Sequence, residues 1–155
     1  MKTQRFILMI ALATGGLFLS RSNASAGGPF QFYSVAPCRI LDTRLTGGPT
    51  GGAPLTGNVT YAFQIAGFCN IPSSASQVIL NVIVVGPAGS GNLRVWPYDG
   101  NPNNVPLIST INFDAGISAL ANGAVVTLGA GNVYVYLGTG GPTAHLVLDT
   151  TGFLQ

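Results

Sequence analysis

The sequence predicts an all-β fold, an antiparallel β-sandwich or jelly roll of about 8–10 strands, preceded by a cleavable signal peptide. Three observations carry this reading. No long segment shows the apolar period of an amphipathic helix. Short runs rich in Val, Ile, Leu, Thr, Tyr and Phe recur instead, cut by Gly, Pro and Asn. The runs follow one another through tight turns, without the crossover helices that parallel strands require.

The N-terminus reads as an export signal. Lys2 and Arg5 give a positive start, residues 6–19 form an apolar stretch interrupted by Gly15 and Gly16, and Ala24-Ser25-Ala26 supplies a small-x-small cleavage pattern. Residues 1–26 are therefore expected to be a signal peptide, and residues 27–155 a single β-sandwich domain. An uncleaved anchor is the competing reading, but the stretch falls short of the ~20 apolar residues of a membrane span. The later run 78–85 is strand-length and contains Asn81, so no membrane span is expected after cleavage. The expected location is secreted, extracellular or at the cell surface.

Strands are expected near 30–35, 38–43, 58–66, 77–85, 91–97, 107–113, 123–128, 132–137 and 144–149. In 133–137 the aliphatics take one face and Tyr134 and Tyr136 the other; in 145–149, Leu146 and Leu148 share a face opposite His145, Val147 and Asp149. The run 78–85 is apolar on both faces except at Asn81, which predicts a central strand buried on both sides or covered by a loop. Residues 87–91, 129–132 and 138–142 read as hairpin turns, the first joining 77–85 to 91–97. Residues 46–57 form a long Gly/Pro/Thr loop and 99–106 an Asn/Pro loop.

Charge narrows the function classes. After residue 26 the chain keeps three arginines (Arg39, Arg44, Arg94) against four aspartates (Asp42, Asp99, Asp114, Asp149), a net of −1. The basic balance of the whole chain therefore belongs to the signal, and no basic patch remains for nucleic acid or anionic lipid. So few charges also leave little electrostatic repulsion between copies. Cys38 and Cys69, an even pair in an exported chain, are expected to form a disulfide; two free buried thiols are the alternative. Closing that loop stabilises by roughly 3–4 kcal/mol on chain-entropy grounds.

Catalytic machinery is not legible. The sole histidine after the signal, His145, lies on a strand four residues from Asp149, a span of roughly 13 Å. No Gly-x-Ser-x-Gly elbow exists. Residues 99–104 begin like a calcium loop, but Asn104 stands where Gly belongs and Thr110 where the bidentate Glu belongs, so an Asn/Pro turn is the plainer reading. No metal and no cofactor are expected. Trp96 with Tyr98, or Tyr134 with Tyr136, stand two apart and form a candidate glycan contact if flat and exposed; otherwise they are core or cross-strand pairs. Arg39, Asp42 and Arg44 flank one strand end and are expected to act with Asp149 as structural charge ties, the alternative being a site for an acidic ligand. The repeat of Leu-Asp-Thr at 41–43 and 148–150 suggests that both aspartates cap turns at one end of the sandwich. Residues 30–35 form a candidate assembly strand through Phe30, Phe32, Tyr33 and Val35, which either pairs within its own sandwich or completes a neighbour's open sheet edge.

The segments 35–44 (Val-Ala-Pro-Cys-Arg-Ile-Leu-Asp-Thr-Arg), 69–72 (Cys-Asn-Ile-Pro), Asn81-Val82, 91–97 (Gly-Asn-Leu-Arg-Val-Trp-Pro), 109–113 with Gly116, 121–126, and 148–153 (Leu-Asp-Thr-Thr-Gly-Phe) together resemble a widespread, uncharacterised bacterial extracellular domain. The resemblance implies a secreted β-sandwich, often appended to cell-surface or cell-wall modules, and supplies no catalytic residues. Asn70, Thr151 and the Phe-Leu ending depart from the pattern, and the domain is expected to stand without a partner module.

The function expected from these observations is a non-catalytic structural or adhesive protein, self-assembling into a surface layer or filament. A carbohydrate-binding module is the alternative, and a small secreted hydrolase a third. The expected partners are copies of itself, as a homo-oligomer or filament, or a cell-surface glycan; nucleic acid is not expected.

Overall fold

A computed structural model describes residues 29–47 and 51–155; the expected signal peptide, 1–26, lies outside them. The described residues contain nine strands: β1 (Phe32–Asp42), β2 (Leu55–Thr56), β3 (Thr60–Gln64), β4 (Gln77–Val85), β5 (Gly91–Pro97), β6 (Ile111–Phe113), β7 (Ala119–Thr127), β8 (Asn132–Thr139) and β9 (Thr143–Leu154). One sheet has the order β1-β9-β4-β7, with β2 also on β9; the other has the order β3-β8-β5-β6. All pairings are antiparallel. The expected all-β sandwich is borne out.

The pairing defines which sandwich it is. β1 pairs with β9, β3 with β8, β4 with β7 and β5 with β6, so the chain is one long antiparallel ladder whose apex is the link 98–110. Wrapping that ladder on itself adds the pairs β4–β9 and β5–β8 and closes two layers. This is the jelly-roll arrangement.

The wrapping overturns all three expected hairpins. β4 and β5 lie in different sheets, as do β7 and β8, and β8 and β9. The Gly-rich links therefore turn corners between layers. At 129–132 the chain closes only an isolated bridge, with Ala130 and Gly131 both in the left-handed region (φ 48° and 80°). Turn chemistry specifies a reversal but not the sheet that receives the next strand.

Alternation along the strands builds the core. Val78, Leu80, Val82 and Val84 of β4, Leu146 and Leu148 of β9, and Val133, Val135 and Leu137 of β8 are buried between the layers with Leu93, Ile111 and Phe113. β4 is central, yet it is buried on one face only: Ile79, Ile83 and Val85 are half-exposed and Asn81 is exposed. A two-layer sandwich has nothing to cover the outer face, so the expectation of burial on both sides fails.

Other boundaries moved for local reasons. The runs expected at 30–35 and 38–43 join into β1, with register shifts between Ser34 and Cys38 and between Arg39 and Leu41 that absorb Pro37, which has no N–H to give a ladder. β9 runs on to Leu154 through a bulge at Thr151. The buried Thr150 hydroxyl holds that bulge, donating to the Ile79 carbonyl at 2.9 Å and accepting the Gly152 N–H at 3.3 Å. Cys38 on β1 is disulfide-bonded to Cys69, as expected, with Cα atoms 5.8 Å apart. The bond ties the edge of one sheet to the turn between β3 and β4, where Cys69 and Asn70 both have positive φ (53° and 60°).

Candidate functional site

The charged flank lies at the β1 edge. Arg39 and Asp149 are paired across β1 and β9, and the guanidinium holds the carboxylate in a fork, Nε to Oδ1 at 2.8 Å and Nη2 to Oδ2 at 3.1 Å. Its remaining arm, Nη1, donates to Oδ2 of Asp42 at 2.9 Å. Asp42 ends β1 fully buried and accepts three further bonds from Arg44: the backbone N–H at 3.1 Å, Nε at 2.8 Å and Nη2 at 2.6 Å. Asp149, Arg39, Asp42 and Arg44 thus form one continuous chain of alternating charge. The Arg44 hydrogen bonds, aided by the nearby Arg39 charge, hold the Asp42 carboxyl well below the usual carboxylate range although burial opposes this. The Asp149 hydrogen bonds raise Arg39, and those of Asp42 raise Arg44.

Asp42 caps the turn after β1, but Asp149 is mid-strand, so the reading of both aspartates as turn caps is corrected for Asp149. Next along the turn, the buried Thr43 hydroxyl accepts the Leu146 N–H at 2.8 Å and lies 3.2 Å from His145 Nδ1, which engages that histidine with a threonine. Outside the ion pairs, a shallow cleft of about 470 Å³ is lined by Pro37, Cys38, Arg39, Asn81, Asp149 and Thr151.

The aromatic candidates are brought together but not as an exposed platform. Trp96 and Tyr134 are cross-strand partners with ring centroids 5.4 Å apart, and only 8 % and 4 % exposed. Tyr98, beyond the end of β5, packs its ring 4.7 Å from Tyr134. Burial pushes the Tyr134 hydroxyl up. Tyr136 lies under the Arg94 guanidinium, 5.4 Å from the ring centroid, and donates to Asn58 Oδ1 at 3.1 Å. The link after β5 folds back on this face, with the Thr60 hydroxyl donating to the Pro102 carbonyl and Arg94 Nη1 to that of Pro106. A flat sugar-stacking pair therefore does not form at Trp96 and Tyr134. Within the link, Asp99 accepts the Asn101 N–H at 2.9 Å and the Asn104 amide at 2.7 Å. The Asn104 bond holds Asp99 below the usual carboxylate range, and the loop closes on its own amides.

The opposite edge was missed as a site. β7 is nine residues long, with no charge and no proline, and β4 is its only strand partner among the described residues. Residues 119–123 are exposed on both faces, because the facing edge strand β6 has only three residues. Near its other end a cleft of about 320 Å³ is lined by Trp96, Pro106, Ile108, Val125, Val126 and Thr127. Ile108 is 82 % exposed, Leu107 94 % and Val125 62 %. Residues 107–110 were expected to begin a strand; only Ile111–Phe113 does so, which leaves Leu107 and Ile108 on the surface. The Trp96 indole N–H is buried with no acceptor among the described residues.

The candidate assembly strand pairs within its own sheet. Phe32, Tyr33 and Ser34 oppose Leu154, Phe153 and Gly152. Tyr33 stacks on Phe153 at 5.1 Å, whereas Phe30 and Phe32 remain exposed and Val35 falls in the bulge, half-buried. Compared with models of known protein families and with curated proteins, the sequence finds no match.

Proposed function

We propose that the chain is a secreted, non-catalytic structural or adhesive domain that assembles with copies of itself into a surface layer or extracellular filament. One observation carries the reading: β7 is an unbroken, charge-free sheet edge, with β4 its only strand partner among the described residues, beside exposed Leu107, Ile108 and Val125. Soluble β-proteins blunt such edges with charges, prolines, bulges or short strands, because unpaired backbone groups invite another strand. An apolar patch beside an open edge adds burial to backbone pairing. The export signal expected at residues 1–26 and the resemblance to secreted surface domains point the same way.

The carbohydrate-binding alternative is weaker, since two of its four rings are buried against each other. The test is to purify residues 27–155 and follow mass by light scattering across a concentration series, with electron microscopy of the same samples. Concentration-dependent growth and fibres or layers are expected. A strict monomer at high concentration, with no ordered assemblies, overturns the reading.

A further inference from the structure

The rows that cross the larger sheet place its two edges in a definite relation. Phe32 lies opposite Leu154, Leu154 opposite Gln77, and Gln77 opposite Thr127. One row on, Tyr33 leads through Phe153 and Val78 to Val126; the next leads from Ser34 through Gly152 and Ile79 to Val125. The start of β1 and the end of β7 are therefore level, at opposite edges of one sheet. The residues reached, Val125, Val126 and Thr127, are the three β7 residues that line the apolar cleft beside Trp96.

Strand direction fits as well. β1, β9, β4 and β7 alternate in direction, so the two edge strands run opposite ways. A copy displaced sideways by one sheet width, without reversal, sets its β1 antiparallel to β7. Residues paired across a sheet share a face, so Phe32 of the copy joins the face of Thr127, with exposed Val125 diagonally beside it.

We infer that the partner of β7 is the N-terminal segment 30–34 of a second copy, added antiparallel along Val125–Val126–Thr127 so that the larger sheet continues from one molecule into the next. The inference rests on the self-assembly reading and names its interface. The docking segment stops where β1 becomes unsuitable: the register shift after Ser34, then Pro37 and Arg39. Residues 29–38 and 119–128 carry no charge, so neither side meets a desolvated ion. Phe32 is 58 % exposed in the free domain, and the contact covers it together with Val125 and Ile108. Because the two surfaces are different and related by a sideways step, the contact does not close on itself and generates a fibre. Strand twist of roughly 20–25° per strand makes that fibre helical.

The test mixes two variants of residues 27–155, Ser34→Cys and Val125→Cys, under mild oxidation, and maps cross-links by mass spectrometry with the Cys38–Cys69 bond verified intact. A 34-to-125 link between chains is expected, its yield rising with concentration and falling at least several-fold when an excess of wild-type protein, which carries neither added cysteine, is present as competitor. Phe32→Cys with Thr127→Cys is the second pair, should either first variant misfold. Trp96, the sole tryptophan, reports independently: its emission is expected to change with assembly. Self-association without either cross-link, or with only 34-to-34 or 125-to-125 links, overturns the interface and leaves self-assembly standing. No association at any concentration overturns both.

Discussion

Along β1 the edge of the larger sheet is interrupted twice, carries Pro37, is bonded through Cys38 to Cys69, and is bordered by four of the seven charged side chains in the described residues. Along β7 the opposite edge runs in unbroken register with β4 from Thr127 to Ala119 and has none of these. A chain so poor in charge does not distribute its ions evenly. Arg39, Asp42, Arg44 and Asp149 all serve one flank, where they fix a bulged strand that the ladder alone holds weakly. The difference separates a flank held by ion pairs and a disulfide from one tied across the layers by a neutral bond, the Asn122 amide donating to the Thr110 carbonyl at 2.8 Å.

The largest effect expected from breaking this contrast comes from the disulfide. Replacing Cys38 or Cys69 by Ser releases both β1 and the turn between β3 and β4, and is expected to cost about 2–5 kcal/mol. Denaturant unfolding of variant and parent, and of the parent with and without reductant, measures it. A loss under about 1 kcal/mol means that the charge chain and the β1–β9 ladder suffice without it.

Asp42 comes next. It is buried and accepts four hydrogen bonds from two arginines, so Asp42→Asn is expected to cost about 3 kcal/mol. The pH dependence follows from the same contacts. The folded carboxyl is held below its unfolded value of about 3.9, so the unfolded chain takes up the proton first. This stabilisation is complete above about pH 5 and is lost as the pH falls through the folded value. Melting temperatures between about pH 5 and pH 2 are expected to drop steeply in the parent and less steeply in Asp42→Asn. Parallel curves mean that other carboxylates govern acid stability.

How much of this contrast could be read from the chain differs between its halves. The charge chain was legible because Arg39, Asp42 and Arg44 are close in sequence and isolated among neutral residues, and Asp149 is one of only four carboxylate side chains in the chain. The disulfide was legible from number alone. Layer assignment was not: the links at 87–91 and 138–142 read as hairpins, yet the ladder pairs β4 with β7 and β8 with β3, over separations that local turn signals do not encode. Trp96 and Tyr134 read more readily as core or cross-strand rings than as an exposed platform, but outward alternation says nothing about a link such as 98–106 folding back over a sheet. The bare edge left a signal that went unused. The run 119–127 lacks both charge and proline, but its Ala, Asn and Gly have low strand propensity, so the strand was expected to begin only at 123. Pairing with the strongly β-forming β4 extends it.

The smallest stability effect, and the sharpest distinction between the flanks, is expected from moving a charge to the bare edge. Thr127 is exposed and lies opposite Gln77, inside the proposed contact and four rows along β4 from the Asn81–Asp149 pair. In Thr127→Lys the ammonium remains in water on a flexible stem, so the folded domain loses little: within about 0.5 kcal/mol, or a melting shift under about 3 °C. An incoming strand, by contrast, would have to pack beside that ammonium and strip part of its hydration, the device by which lysine protects natural sheet edges. Association measured by sedimentation velocity is therefore expected to weaken while the melting temperature holds. The mirror experiment, Arg39→Ala on the tied flank, is expected to lower the melting temperature instead, because Asp149 loses its fork and Asp42 one of its partners. If Thr127→Lys proves the more destabilising of the two, β7 belongs to the stable flank and its lack of charge carries no function; if it melts as the parent does and still associates as strongly, assembly uses another surface.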